Sequence, residues 1–226
     1  MFKYKIIRTV IQKKECNKII EKIDASIKKQ SLLLNKRDKK TYLNELMNPF
    51  NYDPYFFNLF NYKQVNKLCH DILGTNHYLN AFSALKKIPV KGKLRSDKFH
   101  IDGKYELRSL KENLQLNVLF SLTKSSKLHG TTAFKDNKKV KYFELNPGDC
   151  LVFNSFIEHK GTPNISNSTR YIIGYNLIPH FIKPRFDFID MTKKYRLNKS
   201  LKRFLGYNFV SPKNLDDYLN KKTYVY

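Results

Sequence analysis

With 226 residues, 41% apolar and 14% aromatic, the chain is long enough to bury a sizeable core and too rich in aromatics for a disordered segment. No stretch approaches the roughly 18 apolar residues of a membrane span, and Met1-Phe2-Lys3-Tyr4-Lys5 leads into no apolar signal region, so a cytoplasmic protein is expected; Cys16, Cys69 and Cys150 are too scattered for a disulfide framework or a zinc knuckle, and buried thiols are expected instead. The net charge of +24 comes from 35 Lys and only 8 Arg spread along an Asn-, Ile-, Tyr- and Phe-rich chain, a composition that fits A/T-rich coding better than base and phosphate recognition, for which the Arg fork is favoured; nucleic acid is therefore a possible but not the favoured partner, and the expected substrate is a small molecule or an acidic one, phosphorylated, CoA-linked or a glycan.

In chain order, residues 4–11 (YKIIRTVI) read as a short strand, and residues 12–28 as a helix with Ile19, Ile20, Ile23 and Ile27 on one face. The polar stretch 29–40 predicts a loop. Two helical patterns follow, PYFFNLF and KQVNKLCHDIL, and Gly74 is placed to end the second. HYLNAFSAL (77–85) can form a strand. From about residue 94 the texture turns to strands: LQLNVLFSL (114–122), TTAF (131–134), KYFEL (141–145), CLVFN (150–154) and RYIIGYNLI (170–178), separated by turn signals such as Ser125-Ser126, His129-Gly130 and Asn146-Pro147-Gly148-Asp149. Short, closely spaced strands predict a closed or two-sheet antiparallel architecture such as a jelly roll. Residues 195–222 turn helical again, broken at Gly206-Tyr207-Asn208 and at Pro212. The chain reads as one domain over 1–226, α+β and mainly β: an N-terminal helical layer, a β core over about 77–180 and a C-terminal helical extension over about 181–226.

The chemistry concentrates in His100-Ile101-Asp102 and the distant His159. Residues i and i+2 of a strand point to one side, so His100 and Asp102 can face a barrel interior together, and a histidine from another strand completes two imidazoles and one carboxylate. That set leaves three neighbouring positions open, which suits a ferrous ion that must also bind a co-substrate and O2; a structural zinc site would need four protein donors. An H-x-D tripeptide alone is weak. Here it is joined by a turn and apolar strand (147–153) leading to His159, and by Arg170 opening the next strand. A buried Arg needs an anionic partner, which the distal carboxylate of 2-oxoglutarate would supply. His70, His77, His129 and His180 lack comparable neighbours and read as surface, capping or satisfied polar residues.

These segments resemble the phytanoyl-CoA dioxygenase-like branch of the Fe(II)/2-oxoglutarate oxygenases over roughly residues 54–178: ILGTNHYLNAFSALKKIP, the iron-binding element in KFHIDG, LQLNVLFSL followed by HGTTAF, and LNPGDCLVFNSFIEHKGTPNISNSTRYII. The resemblance implies a double-stranded β-helix (cupin-like) fold. It implies Fe(II) on His100, Asp102 and His159, with 2-oxoglutarate held by Arg170, Asn117 and Thr131, and hydroxylation of a substrate with release of succinate and CO2. Asn117 could also be a solvent-facing strand residue, and Thr131 could simply shape its turn. Tyr105, Arg108 and the 103–113 loop are candidate substrate contacts. The chain departs from the family at His129, where relatives often have Asn, and at FKDN after the turn, so the substrate is not carried over. Asp102 keeps the acidic ligand that halogenating relatives lose. Asn176 stands where the nucleic-acid demethylases carry a second Arg, and the prolyl hydroxylases use Lys where Arg170 stands. A cupin-like metal enzyme that ignores 2-oxoglutarate and a basic nucleic-acid-binding module are the competing readings.

Overall fold

The computed structural model describes residues 2–34, 44–90, 98–102, 114–136, 139–209 and 214–220. Among these, nine strands occur: β1 (Tyr4–Ile7), β2 (Glu45–Met47), β3 (His77–Lys87), β4 (Leu116–Ser121), β5 (Thr132–Asp136), β6 (Lys139–Tyr142), β7 (Cys150–Asn154), β8 (His159–Gly161) and β9 (Arg170–Pro179). They form two antiparallel sheets, a six-stranded one in the order β1-β7-β4-β9-β3-β2 and a three-stranded one in the order β6-β5-β8. The strands expected at 77–85, 150–154 and 170–178 are present nearly at the anticipated bounds, because each is a β-branched or aromatic run closed by turn residues. Strands β2 and β8 were not anticipated; three residues carry no alternation to read.

Strand alternation decides what each face of the large sheet does. On β9, Tyr171, Ile173, Tyr175 and Leu177 enter the main hydrophobic core, while Arg170, Ile172, Gly174 and Asn176 line a cavity. Helices cover the core face. The helix α1 (Lys13–Leu33) buries Cys16, Ile19 and Ile23, and α2 (Lys63–Leu73) buries Val65 and Cys69. From the other end of the chain, α3 (Phe188–Thr192) and α4 (Lys199–Phe204) add Phe188 and Leu201 to the same core, and α5 (Leu215–Asn220) follows. Phe60, in the 3-10 segment Pro54–Asn61, stacks on Phe204 at 4.5 Å and meets Tyr175 edge-on at 5.3 Å, so both helical regions close over one sheet face. Each such buried aromatic contributes about 1.5–3 kcal/mol. All three cysteines are buried and free, and among the described residues no helix is long and apolar enough to cross a membrane.

Two expectations change. The helix α1 does not stop at residue 28, because Gln30 is drawn into the structure: its Nε2 donates to Glu45 O at 2.6 Å, and Met47 N donates to its Oε1 at 2.9 Å. A tertiary contact thus extends a helix whose next residues read as loop. The strand expected at 141–145 begins earlier, at Lys139, and leaves the ladder after Tyr142. Pro212 lies outside the described residues.

The turn at Asn146–Asp149 is built for close packing. Gly148 adopts φ +90°, its O accepts from Val10 N and Ile11 N at 2.8 and 3.0 Å, and a Cβ there would lie 1.9 Å from Ile11 O. Asp149 anchors the same turn by accepting from Arg8 Nη1 at 2.6 Å, Thr9 N at 3.0 Å and Asn146 N at 2.9 Å.

Candidate metal centre and co-substrate pocket

The sheets bring His100, Asp102 and His159 together at one cavity. His100 lies outside the named strands and pairs with His159 through an isolated bridge, each backbone N–H donating to the other's C=O at 2.8 Å. Asp102 sits in a bend beyond, with its N–H donating to Ser155 O at 3.2 Å. The two residues of the H-x-D element therefore reach the same place without forming the continuous strand that the i, i+2 argument assumed.

One donor atom from each side chain can be chosen so that all lie within 4.8 Å of one another. His100 Nε2 is 3.4 Å from Asp102 Oδ1, and His159 Nε2 is 3.4 Å from Asp102 Oδ2. Ligands at about 2.1 Å and right angles around a metal lie about 3 Å apart, so small side-chain adjustments bring these atoms into a coordination shell. Both rings are oriented alike: His100 Nδ1 bonds Lys98 O at 3.1 Å and His159 Nδ1 bonds Ile157 O at 2.8 Å. A proton on Nδ1 leaves the Nε2 lone pair for a metal. Phe153 packs edge-on against His159 at 4.9 Å, fixing the more deeply set ring. Exposure falls from 48% at His100 through 32% at Asp102 to 9% at His159, so the cluster opens to solvent on the His100 side.

Asp102 is held ionised. Burial works to raise its pKa, but hydrogen bonding and the charges of its neighbours prevail and hold it below the ordinary carboxylate value; His159, Asn117 and His100 are the groups responsible. Asn117 Nδ2 donates to Asp102 Oδ2 at 2.8 Å, and Asn176 Nδ2 donates to Asn117 Oδ1. Asn117, which the resemblance assigns to the co-substrate, thus touches the carboxylate of the candidate metal cluster.

Arg170 lines the same cavity, whose volume is about 350 Å³. It is almost fully buried, and its Nε donates to Ser125 Oγ at 2.8 Å, which in turn bonds Ser121 Oγ at 2.6 Å. Among the described residues no carboxylate pairs with it, and burial pushes its pKa down to about 9. A desolvated guanidinium with one hydroxyl partner, facing a cavity that also holds a two-His, one-carboxylate donor set, fits an anionic co-substrate next to a metal ion.

Thr131 turns its hydroxyl to the backbone. It is fully buried, its hydroxyl donates to Phe143 O and its N–H donates to Thr162 Oγ1 at 2.7 Å, while the neighbouring Thr132 lines the cavity. Thr131 lies just before β5, and these bonds fit the alternative reading that it shapes its turn. Among the other histidines, His129 caps its turn through Ser126 Oγ at 2.9 Å and His77 bonds Gly74 O at 2.7 Å, as satisfied polar groups. Tyr105, Arg108 and the 103–113 loop lie outside the described residues. Sequence reading missed Ser125 as the partner of Arg170, and also Glu45 and Asn176 as cavity residues; counting in twos from Arg170 would have found Asn176.

No family model matches the chain, and no curated protein matches it. Solved structures do. A non-heme monooxygenase, ThoJ, in complex with nickel superposes with a TM-score of 0.64 at 14% identity, over 80% of this chain and 76% of its own. HygX from Streptomyces hygroscopicus, solved with nickel and 2-oxoglutarate bound, gives a TM-score of 0.61 at 11% identity, over 81% of this chain and 84% of its own. The same protein with iron bound gives 0.59 at 12% identity. At such identities the likeness establishes the fold: this chain shares the architecture of non-heme iron oxygenases.

Proposed function

We propose that the protein is an Fe(II)- and 2-oxoglutarate-dependent dioxygenase of the phytanoyl-CoA dioxygenase-like kind, built on a double-stranded β-helix. It would convert a small-molecule substrate, O2 and 2-oxoglutarate into hydroxylated product, succinate and CO2. The observation that carries this reading is the pairing, within one cavity, of the His100–Asp102–His159 donor set with a buried Arg170 that has no carboxylate partner among the described residues. A cupin-like metal enzyme indifferent to 2-oxoglutarate would have no use for that cation. A structural neighbour solved with nickel and 2-oxoglutarate bound is in keeping with this reading.

Bound iron would supply O2 activation coupled to oxidative decarboxylation of the co-substrate. The remaining work belongs to the chain. His100 and His159 present Nε2 because each Nδ1 is tied to a backbone carbonyl. Asn117 holds one oxygen of Asp102, which leaves the other for the metal. Arg170, steadied by Ser125, takes the distal carboxylate with charge-assisted hydrogen bonds and so sets the reach of the keto acid toward the triad.

The test is anaerobic addition of Fe(II) and 2-oxoglutarate to purified protein, reading the visible metal-to-ligand charge-transfer band. The band is expected in the wild type, absent in His100→Ala and weakened in Arg170→Ala. A folded wild-type protein without the band overturns the proposal.

A further inference from the structure

The cavity holds a second carboxylate that the chemistry above does not use. Glu45 sits on β2, the edge strand of the large sheet, and lines the same cavity as the triad and Arg170. Its position is imposed from behind: Gln30, buried in α1, bonds Glu45 O and Met47 N on the outer edge of β2, and Asn44 O accepts from Lys86 N at 2.8 Å. On its inner edge β2 pairs Glu45 with Leu85 and Met47 with Ser83. Glu45 and Ser83 are therefore diagonal neighbours on the cavity face. Among the described residues, no hydrogen bond or ion pair reaches either the Glu45 carboxylate or the Ser83 hydroxyl. Burial raises the pKa of Glu45, with the exposed Arg185 pulling the other way from a distance.

The charges of the cavity say what Glu45 faces in the loaded enzyme. With iron and co-substrate in place, the metal, Asp102, Arg170 and the dicarboxylate neutralise one another. Among the described residues, Lys87 and Glu45 are then the remaining charged groups that line it. Glu45 stands opposite Leu85, so Lys87 and Ser83 flank it equally on the cavity face: Lys87 is in register with Arg170 at the co-substrate end, Ser83 is in register with Gly174 toward Asn176, and no ion pair joins Lys87 to Glu45 among the described residues. An open volume bounded by a half-buried carboxylate and a hydroxyl recognises a strong hydrogen-bond donor.

Resting on the oxygenase reading for its context, we infer that Glu45 and Ser83 anchor the prime substrate and that this substrate presents an ammonium or guanidinium group to them. The overall charge of +24 does not oppose this, because screening at physiological salt reduces distant lysines to little within about 8 Å. The group facing the substrate decides, and here it is an acid.

The experiment compares n-butylammonium with sodium butyrate and n-butanol by ligand-observed NMR titration, using protein loaded with diamagnetic Zn(II) and 2-oxoglutarate. The expected result is binding of n-butylammonium alone, weakened about tenfold or more in Glu45→Gln, the loss of one charge-assisted hydrogen bond. Gln keeps the main-chain bonds to Gln30, and an unchanged melting temperature verifies the fold. Equal or tighter binding of butyrate, an unchanged affinity in Glu45→Gln, or no n-butylammonium binding up to tens of millimolar overturns the assignment. A second titration, on Asp102→Asn protein without metal or co-substrate, separates the two readings. Glu45-dependent binding there, with no Fe(II)–2-oxoglutarate band in the wild type, removes the oxygenase reading and leaves the Glu45 site standing.

Discussion

Asn117 donates its amide to Asp102 Oδ2 at 2.8 Å and at its other end accepts, on Oδ1, from Asn176 Nδ2. The ionised carboxylate can only accept, so it selects the NH2 end of Asn117, and Asn176 supports that orientation by donating to the other end. Asn117→Leu is expected to weaken metal affinity by about 10- to 100-fold, as loss of a ligand-orienting partner does. Asn176→Leu should act in the same direction and less strongly. Competition of Co(II) against a chelating dye measures both, and unchanged affinities would remove the orienting role.

Arg170 trades stability for binding. Its folded pKa, pushed down to about 9, lies below its ordinary value, so the unfolded chain binds the proton more tightly. Stability therefore rises as pH climbs from about 9 toward the ordinary value, and below that window the buried charge is a net cost. Arg170→Met leaves Ser125 bonded to Ser121 and is expected to be at least as stable as wild type at pH 7 without ligand. With metal present, 2-oxoglutarate at 100 times its Kd should add about 2.7 kcal/mol to the wild type and nothing to the variant. Thermal melts with and without the co-substrate check both statements.

Asp53 caps the 3-10 segment by accepting from Tyr55 N at 2.8 Å, and pairs with Lys22 at 2.6 Å. Burial alone would raise its pKa, but the Lys22 and Tyr55 hydrogen bonds prevail and hold it below the ordinary value. Its contribution is therefore complete above about pH 4 and is lost as pH falls through the depressed folded value. Asp53→Ala should cost about 1 kcal/mol at pH 7. The gap from wild type, followed by urea unfolding, should close in acid.

Neighbours on β9 are expected to respond oppositely to small changes. The hydroxyl of Tyr175 is buried and without a partner among the described residues, so Tyr175→Phe should be neutral or stabilising. A Cβ on Gly174 would lie 2.5 Å from Val118 O and Leu119 Cδ2, so Gly174→Ala must push β4 and β9 apart. About 1–3 kcal/mol of destabilisation is expected from chemical denaturation.

The strands that position the site were legible wherever apolar runs met turn residues, as in CLVFN and RYIIGYNLI. What escaped were contacts settled by tertiary structure. Gln30 sits in a polar stretch, and only its two bonds to β2 explain why α1 continues past it. His100, Asp102 and His159 were recognisable by residue type and order, but not the backbone exchange between the two histidines. Arg170 demanded an anion on sequence grounds. Ser125, its hydroxyl partner, looked like one more turn residue. Thr131 had two readings in the sequence, and only its bonds to Phe143 O and Thr162 Oγ1 show the turn that it helps to hold.

The bridge between His100 and His159 has a kinetic consequence. Two side chains that would hold one metal ion also exchange backbone hydrogen bonds, so an ion held by both would oppose opening of the rung. An ion bound there would work as a latch on the segment around Lys98–Asp102. Amide hydrogens of His100 and His159 would then be protected further in the metal-loaded protein than in the metal-free one, and deuterium uptake at that rung would report metal occupancy.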